Sequence, residues 1–153
     1  MAGEAKFVYG TSKTLANANG GAVSNNQLSA AAGTTYSSTD TVDYPDAVFT
    51  LITAGFGGTP TSGSTIDLYI RPLNIDSTTD APAPPTGAST AAYKGVRVCS
   101  FRLHASSSSG DAYSAVGYDI PREGEAYLYN NATGQSLSAN WSLKMQPRTV
   151  GPA

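Results

Sequence analysis

The chain has 153 residues, which is the length of one ordinary domain and enough to bury a sizeable core. Its formal net charge is −2 and its nine Lys and Arg residues are scattered, which argues against a nucleic-acid ligand. No window approaches the ~20 apolar residues of a membrane-spanning helix, so we expect no membrane partner.

The composition predicts an all-β protein, and the single cysteine and the N-terminal residues predict that it is made in a cytoplasm. Charged residues are 13% of the chain, and 16 Gly and 9 Pro supply turn signals. Low charge weakens solubility as a free monomer, which hints that much of the surface is covered in an assembly. The single cysteine, Cys99, cannot form an internal disulfide, and the first six residues lack the apolar core of a signal peptide.

Residues 1–32 are rich in Ala, Asn, Ser and Gly and have no sustained hydrophobic period. We predict an N-terminal arm over 1–32, followed by one β-sandwich domain over 33–153. Phe7 and Tyr9 lie in a short strand-like stretch of this arm. Two interpretations stay open: a loosely structured arm, or an arm that orders against a neighbouring subunit and buries both aromatic rings.

The next region reads as two strands and a hairpin. Residues 34–41 predict a short strand, and 43–46 a turn. Residues 47–54 are apolar on both faces, which is typical of a strand covered on both sides. The glycine-rich loop at 55–63 then predicts a hairpin with the strand that follows it.

The stretch from Ile66 to Asp76 is the clearest strand of the sequence. Its residues alternate between apolar and polar, the mark of a strand with one face in a core. The inward side chains are Ile66, Leu68 and Ile70, and the outward ones are Asp67, Tyr69 and Arg71. A proline-rich connector over 77–90 should be exposed and partly extended.

Four further strands complete the prediction. They cover residues 93–103, 115–120, 125–130 and 137–145, and residues 147–153 form a tail. The apolar side of the first of these switches near Val98 and Cys99, which predicts a β-bulge there. Trp141 should anchor the core. Roughly seven to nine short strands indicate an antiparallel β-sandwich, either jelly-roll or immunoglobulin-like, and we predict the jelly-roll form. The Cys-Trp-Cys pattern of true immunoglobulin domains is absent.

No catalytic, cofactor or metal residues are predicted. Cys99 and His104 lie on one predicted strand at an odd spacing, which puts them on opposite faces unless the bulge intervenes. One Cys and one His cannot build a structural zinc site. The carboxylates at Asp76, Glu123 and Glu125 fall at turns, where solvated charges are the simpler interpretation. We therefore expect a protein that is not an enzyme.

Exposed aromatic residues are the remaining candidates for function. The chain has nine Tyr, which either suit strands or anchor an interface and stack on sugars. The predicted interface residues are Phe7, Tyr9, Tyr69, Arg71 and Tyr127.

Three blocks of the sequence, at residues 66–76, 80–82 and 127–143, resemble small virion proteins of tailed bacteriophages. Within that group the chain looks like the head-decoration, or cement, proteins, which have a β-sandwich fold. The resemblance covers roughly the C-terminal two thirds, and its motifs are structural, so no catalytic residue carries over.

The resemblance implies a non-enzymatic virion protein that binds the outside of a phage capsid and clamps neighbouring capsomers. Its partners would be the major capsid protein and copies of itself, as a dimer or trimer. It would be made in the host bacterial cytoplasm and end on the capsid surface. Two alternatives remain: a tail or fibre module that binds host-surface glycans through exposed Tyr, and a wall hydrolase.

Overall fold

The computed structural model describes residues 5–87 and 92–152. These residues form eight strands and one short helix, and the paired strands run antiparallel. The all-β, antiparallel prediction is confirmed. No helix in the described residues is long and apolar enough to cross a membrane. The elements are β1 (Ala5–Tyr9), β2 (Lys13–Ala16), α1 (Ser38–Thr41), β3 (Asp46–Ile52), β4 (Thr65–Pro72), β5 (Val96–Arg102), β6 (Ala112–Gly117), β7 (Gly124–Asn131) and β8 (Ser142–Pro152).

The first sheet is built around β8. This strand lies between β3 on one side and β1 and β2 on the other, and β6 pairs with the far side of β3. β3 begins at Asp46, opposite Arg148, whereas β1 pairs with residues 148–152. β8 therefore runs past the beginning of β3. We call the two strands that project there, residues 5–9 and 149–152, the β1/β8 ribbon.

The second sheet has β4 between β5 and β7. The predicted inner face of β4 is confirmed, since Ile66, Leu68 and Ile70 are fully buried, but the outward Asp67 is buried too, at 3% exposure. Leu68 lies opposite Cys99, while the next residue of β4 lies opposite Arg97. Val98 is thus an extra residue in β5, and the predicted bulge is confirmed.

The core lies between the two sheets, as in a β-sandwich. One buried cluster joins Phe49 and Met145 of the first sheet to Leu68 and Phe101 of the second. Trp141, just before β8, is fully buried, which confirms it as a core anchor. Jelly-roll connectivity stays a prediction.

The ring of Trp141 explains a close approach of the chain at Gly20 and Gly21. The Trp141 Nε1–H donates to the Gly21 carbonyl oxygen at 2.7 Å. A Cβ added at Gly20 would lie 2.1 Å from the ring, so only glycine fits against this face.

The predicted arm is only partly separate from the domain. Residues 13–32 pack on it: Leu15, Val23 and Leu28 are buried, although the sequence predicted a loose segment. The segment lacks a period because it pairs irregularly along β7, where Ser29 N–H donates to the Leu128 carbonyl at 2.8 Å. Within the described part of the arm, β1 is a strand in which every residue is exposed.

Two local predictions were wrong. Residues 34–41 do not form a strand, because Ser37 and Asp40 make a capping box that begins helix α1. The loop at 55–63 does not close a hairpin either. It crosses between the sheets, since β3 pairs with β6 and β8 while β4 pairs with β5 and β7.

The predicted C-terminal tail is also wrong, since β8 continues through Pro147 to Pro152. A proline removes one ladder donor and is normally confined to sheet edges. Here it faces the interruption between β1 and β2, where the Gly10 N–H donates to the Pro147 carbonyl at 2.8 Å. The ladder therefore tolerates the missing N–H.

Candidate interaction surface

The outer face of the β1/β8 ribbon carries a cluster of exposed apolar side chains. Phe7 is 51% exposed, Tyr9 49%, Val150 61%, and Tyr118, from the turn after β6, 66%. Cross-strand partners point to the same face of a sheet, so the side chains of β1 and β8 converge around Arg148, opposite Tyr9. We call these five residues the ribbon patch.

Arg148 lies beneath the aromatic rings of this patch. It is 7% exposed, with its guanidinium carbon 4.3 Å from the Phe7 ring centroid and 5.7 Å from that of Tyr118. Its Nε is buried without a hydrogen-bond partner. No carboxylate of the described residues lies within ion-pair distance of it. A buried cation that lies against aromatic rings without an ion pair can still gain stabilisation from an anion.

Asp46 is the carboxylate that pairing places opposite Arg148, and it is engaged elsewhere. Its Oδ1 accepts the backbone N–H of Asp119 at 3.1 Å. Asp119 has a φ of 50°, so this contact holds a left-handed turn directly after Tyr118. Asp46 thereby helps to place the Tyr118 ring over Arg148 instead of neutralising the guanidinium.

The structure brings two of the five sequence-predicted residues, Phe7 and Tyr9, into the ribbon patch. Sequence reasoning missed Tyr118, Val150 and Arg148. The signal for the last two was present: the outward series of β8 continues at even positions past Pro147. Ending the strand before that proline hid it.

Tyr69 and Tyr127 lie outside this patch, on the outer face of the second sheet. Tyr127 is 4% exposed and packs with Leu28 and Tyr129, so the expectation of an exposed ring there is wrong. Tyr69 is half-buried and meets the Tyr129 ring edge-on, with centroids 6.4 Å apart. Irregular pairing of the arm along β7 brings Leu28 over these rings, which a local strand pattern does not reveal.

Arg71, the fifth predicted residue, is held by its own chain. Its Nη1 lies 3.3 Å from the Glu125 carboxylate, and its Nε donates to the Ala81 carbonyl at 2.7 Å. A weaker contact joins it to Asp80 at 3.7 Å. Arg71 therefore ties the proline-rich connector to the second sheet, and Ala81 is buried instead of exposed.

The residues examined for nucleophilic chemistry are not arranged for it. Burial, followed by the nearby Asp67 carboxylate, raises the pKa of the Cys99 thiol to about 12, so little thiolate forms at neutral pH. His104 is exposed instead, with its Nδ1 3.0 Å from the Tyr113 hydroxyl and its Nε2 3.6 Å from Asp111. Within residues 5–87 and 92–152, no three His, Cys, Asp or Glu side chains group as metal ligands do.

A groove of about 460 Å³ adjoins the ribbon patch. It lies between the turn that follows α1 and the turn that follows β6, and its lining includes Val42, Tyr44, Ile120 and Arg122. Val42 is mostly exposed at its rim. The groove extends the accessible apolar surface next to Tyr118.

Comparisons with protein-family models, with curated proteins and with solved structures found no match to this chain.

Proposed function

We propose that the protein is a non-enzymatic structural protein of a phage virion, which binds the outside of the capsid and clamps neighbouring capsomers. The observation that carries the proposal is the β1/β8 ribbon. It projects past β3 and exposes the four apolar side chains of the ribbon patch around Arg148. Contiguous exposed apolar residues mark interaction sites on folded proteins.

The geometry suits a clamp. The sandwich supplies a rigid body, since one cluster of buried side chains joins both sheets. The ribbon extends one sheet outward as two strands, and strand edges pair readily with other chains. A body on one subunit and a ribbon on the next would bridge a seam of the shell.

Many copies of a modest contact would produce the stabilisation. Each bound copy favours the assembled shell over its separated subunits by mass action, and repeated contacts across the surface add. The partners in this proposal are the major capsid protein and neighbouring copies of the chain as a dimer or trimer. The protein would be made in the bacterial cytoplasm and act on the capsid surface.

Heating virions tests the proposal. Virions that lack the protein should release DNA at a lower temperature than complete ones, and adding back the purified protein should restore the difference. Phe7→Ala should restore less, because it removes half-exposed apolar area from the ribbon patch. Ile75→Ala is the matched control, since Ile75 is 64% exposed and lies outside the ribbon patch. DNA release that ignores the protein altogether would refute the role.

A glycan-binding tail or fibre module is the second candidate, and the exposed rings of Tyr9 and Tyr118 favour it over a catalytic function. The sequence also offered Tyr127 for glycan stacking, but its ring is buried and does not present a face to a sugar. Binding of the isolated protein to a glycan array, lost in Tyr118→Ala, would favour this candidate. A protein that binds virion heads and no glycan would exclude it.

A further inference from the structure

One edge of β8 is left without a partner beside the ribbon patch. β3 begins opposite Arg148, and no strand of the described residues flanks 149–152 on that side. The Pro147 carbonyl points to β1, where it accepts from Gly10. Main-chain groups alternate along an antiparallel strand, so the N–H and C=O of Val150 point to the open side. An extended segment would find one donor and one acceptor there.

The same edge lies next to the buried Arg148 guanidinium, which forms no ion pair with any described residue. Arg148 and Val150 are two residues apart and share the outer face of β8. On a strand added to the open edge, the residue opposite Val150 would be a diagonal neighbour of Arg148. Diagonal neighbours lie about 7–8 Å apart, which a long side chain spans. A Glu at that position would place its carboxylate at Arg148.

We propose that the open edge of β8 binds an extended acidic segment of a partner protein, which adds as a strand beside Val150 and places a carboxylate on Arg148 between Phe7 and Tyr118. The inference rests on the proposed function only in naming the capsid shell as the source of that segment. It specifies the chemistry of the segment: apolar residues that alternate with polar ones, and one Glu on the face that meets the patch.

A protein segment fits better than an acidic sugar. A uronic acid would also satisfy Arg148 and stack on Tyr118, but it would leave the N–H and C=O of Val150 without partners of matching spacing. Addition of a strand satisfies both the edge and the cation. A charge-assisted pair with a carboxylate is roughly twice as strong as a neutral hydrogen bond, so the cation supplies specificity for the acid.

Two peptides test the inference on the full chain. The first is acetyl-Thr-Val-Glu-Val-Thr-amide, and the second carries Gln in place of Glu. Each is titrated into the ¹⁵N-labelled protein while the backbone amide of Val150 and the Nε–H of Arg148 are followed by NMR. The Glu peptide should move both signals and bind at least about tenfold tighter than the Gln peptide, because removing one member of a buried charged pair costs that much or more.

The variant Arg148→Met keeps an apolar stem under the rings and removes the charge. It should reduce binding of the Glu peptide to the level of the Gln peptide, whereas Arg102→Met, on the exposed end of β5, should leave it unchanged. The peptide comparison on the unaltered chain stands even if the variant does not fold.

Three results would overturn the inference: equal binding of the two peptides, no binding of the Glu peptide, or a glucuronate-ended oligosaccharide that moves the Arg148 Nε–H while neither peptide moves Val150. Rebinding to depleted virions distinguishes failure of this inference from failure of the proposed function. If Arg148→Met rebinds depleted virions as well as the parent does, the acidic-segment inference fails and the capsid role stands. If the parent itself does not rebind, the capsid role fails and the peptide titration alone decides the inference.

Discussion

The two sheets each carry an arginine on the outer face, and the two side chains have opposite surroundings. Arg71 of the second sheet meets the Glu125 carboxylate at 3.3 Å and the Ala81 carbonyl at 2.7 Å. Arg148 of the first sheet is more deeply buried, yet its Nε has no partner. Arg71 is therefore held by its own chain, whereas Arg148 has an unpartnered Nε and, among the described residues, lies beside an open strand edge.

The neighbouring aromatic rings follow the same division. Tyr127 and Tyr129 are buried beneath Leu28, whereas Phe7 and Tyr118 are at least half exposed. An aromatic ring stabilises the fold more when it is buried than when it is exposed. A chain that leaves several rings exposed in one place therefore gives up that stabilisation. The comparison therefore indicates which face serves folding and which face supports our proposal of an interface.

The largest effect should come from the covered face. Leu28→Ala removes a side chain that is 2% exposed, and we expect the free energy of unfolding to fall by about 2–5 kcal/mol. Urea denaturation measures it. Ile75→Ala, at an exposed position, should change it by less than about 0.5 kcal/mol. Equal costs for the two variants would mean that the arm does not pack on the second sheet as described.

High pH should weaken the same face. Burial raises the pKa of Tyr127 to about 12, above the 10.0 of an unperturbed tyrosine. The Glu125 carboxyl, which accepts a hydrogen bond from the Tyr127 hydroxyl, is the second cause of this rise. A raised pKa in the folded chain gives stability that is complete below pH ~10 and is lost as pH rises through ~12. Urea midpoints across this window should fall less steeply in Tyr127→Phe. An identical decline in the variant would show that Tyr127 does not contribute.

Replacing each of the two arginines should change the free energy of unfolding by different amounts. Arg71→Met leaves the half-buried Glu125 carboxylate without its cation, and we expect a cost of about 1–3 kcal/mol. Urea denaturation of parent and variant side by side measures this cost.

Arg148→Met should change the free energy of unfolding less than Arg71→Met does, by under about 1 kcal/mol in either direction. It loses contacts with two aromatic rings but also removes a buried, unpaired charge, and these terms oppose each other. Thermal unfolding of parent and variant side by side measures the balance. A cost as large as that of Arg71→Met would indicate that Arg148 serves the fold and not an interface.

The sequence predicted what depends on neighbouring residues. Alternation alone located β4 and β7, the bulge at Val98 and the burial of Trp141. It could not predict pairing between distant strands, so the loop between β3 and β4 looked like a hairpin although the strands belong to different sheets. It also gave Tyr127 an exposed face, because the covering Leu28 comes from a segment without any period.

The ribbon patch was only partly predictable for the same reason. Phe7 and Tyr9 were identified as aromatic residues in an arm. Arg148 and Val150 escaped because Pro147 suggested that the last strand had ended. Only the pairing with β1, which the sequence does not display, shows that the strand continues and that all four side chains share one face.

Hydrogen–deuterium exchange of the protein, free and bound to virions, tests the central claim most directly. We expect binding to protect the amides of residues 148–151 most strongly, with little change at the covered face around Tyr127 or at the loop around Ile75. Protection centred on either of those two regions, with the β1/β8 ribbon exchanging as in the free protein, would contradict the account.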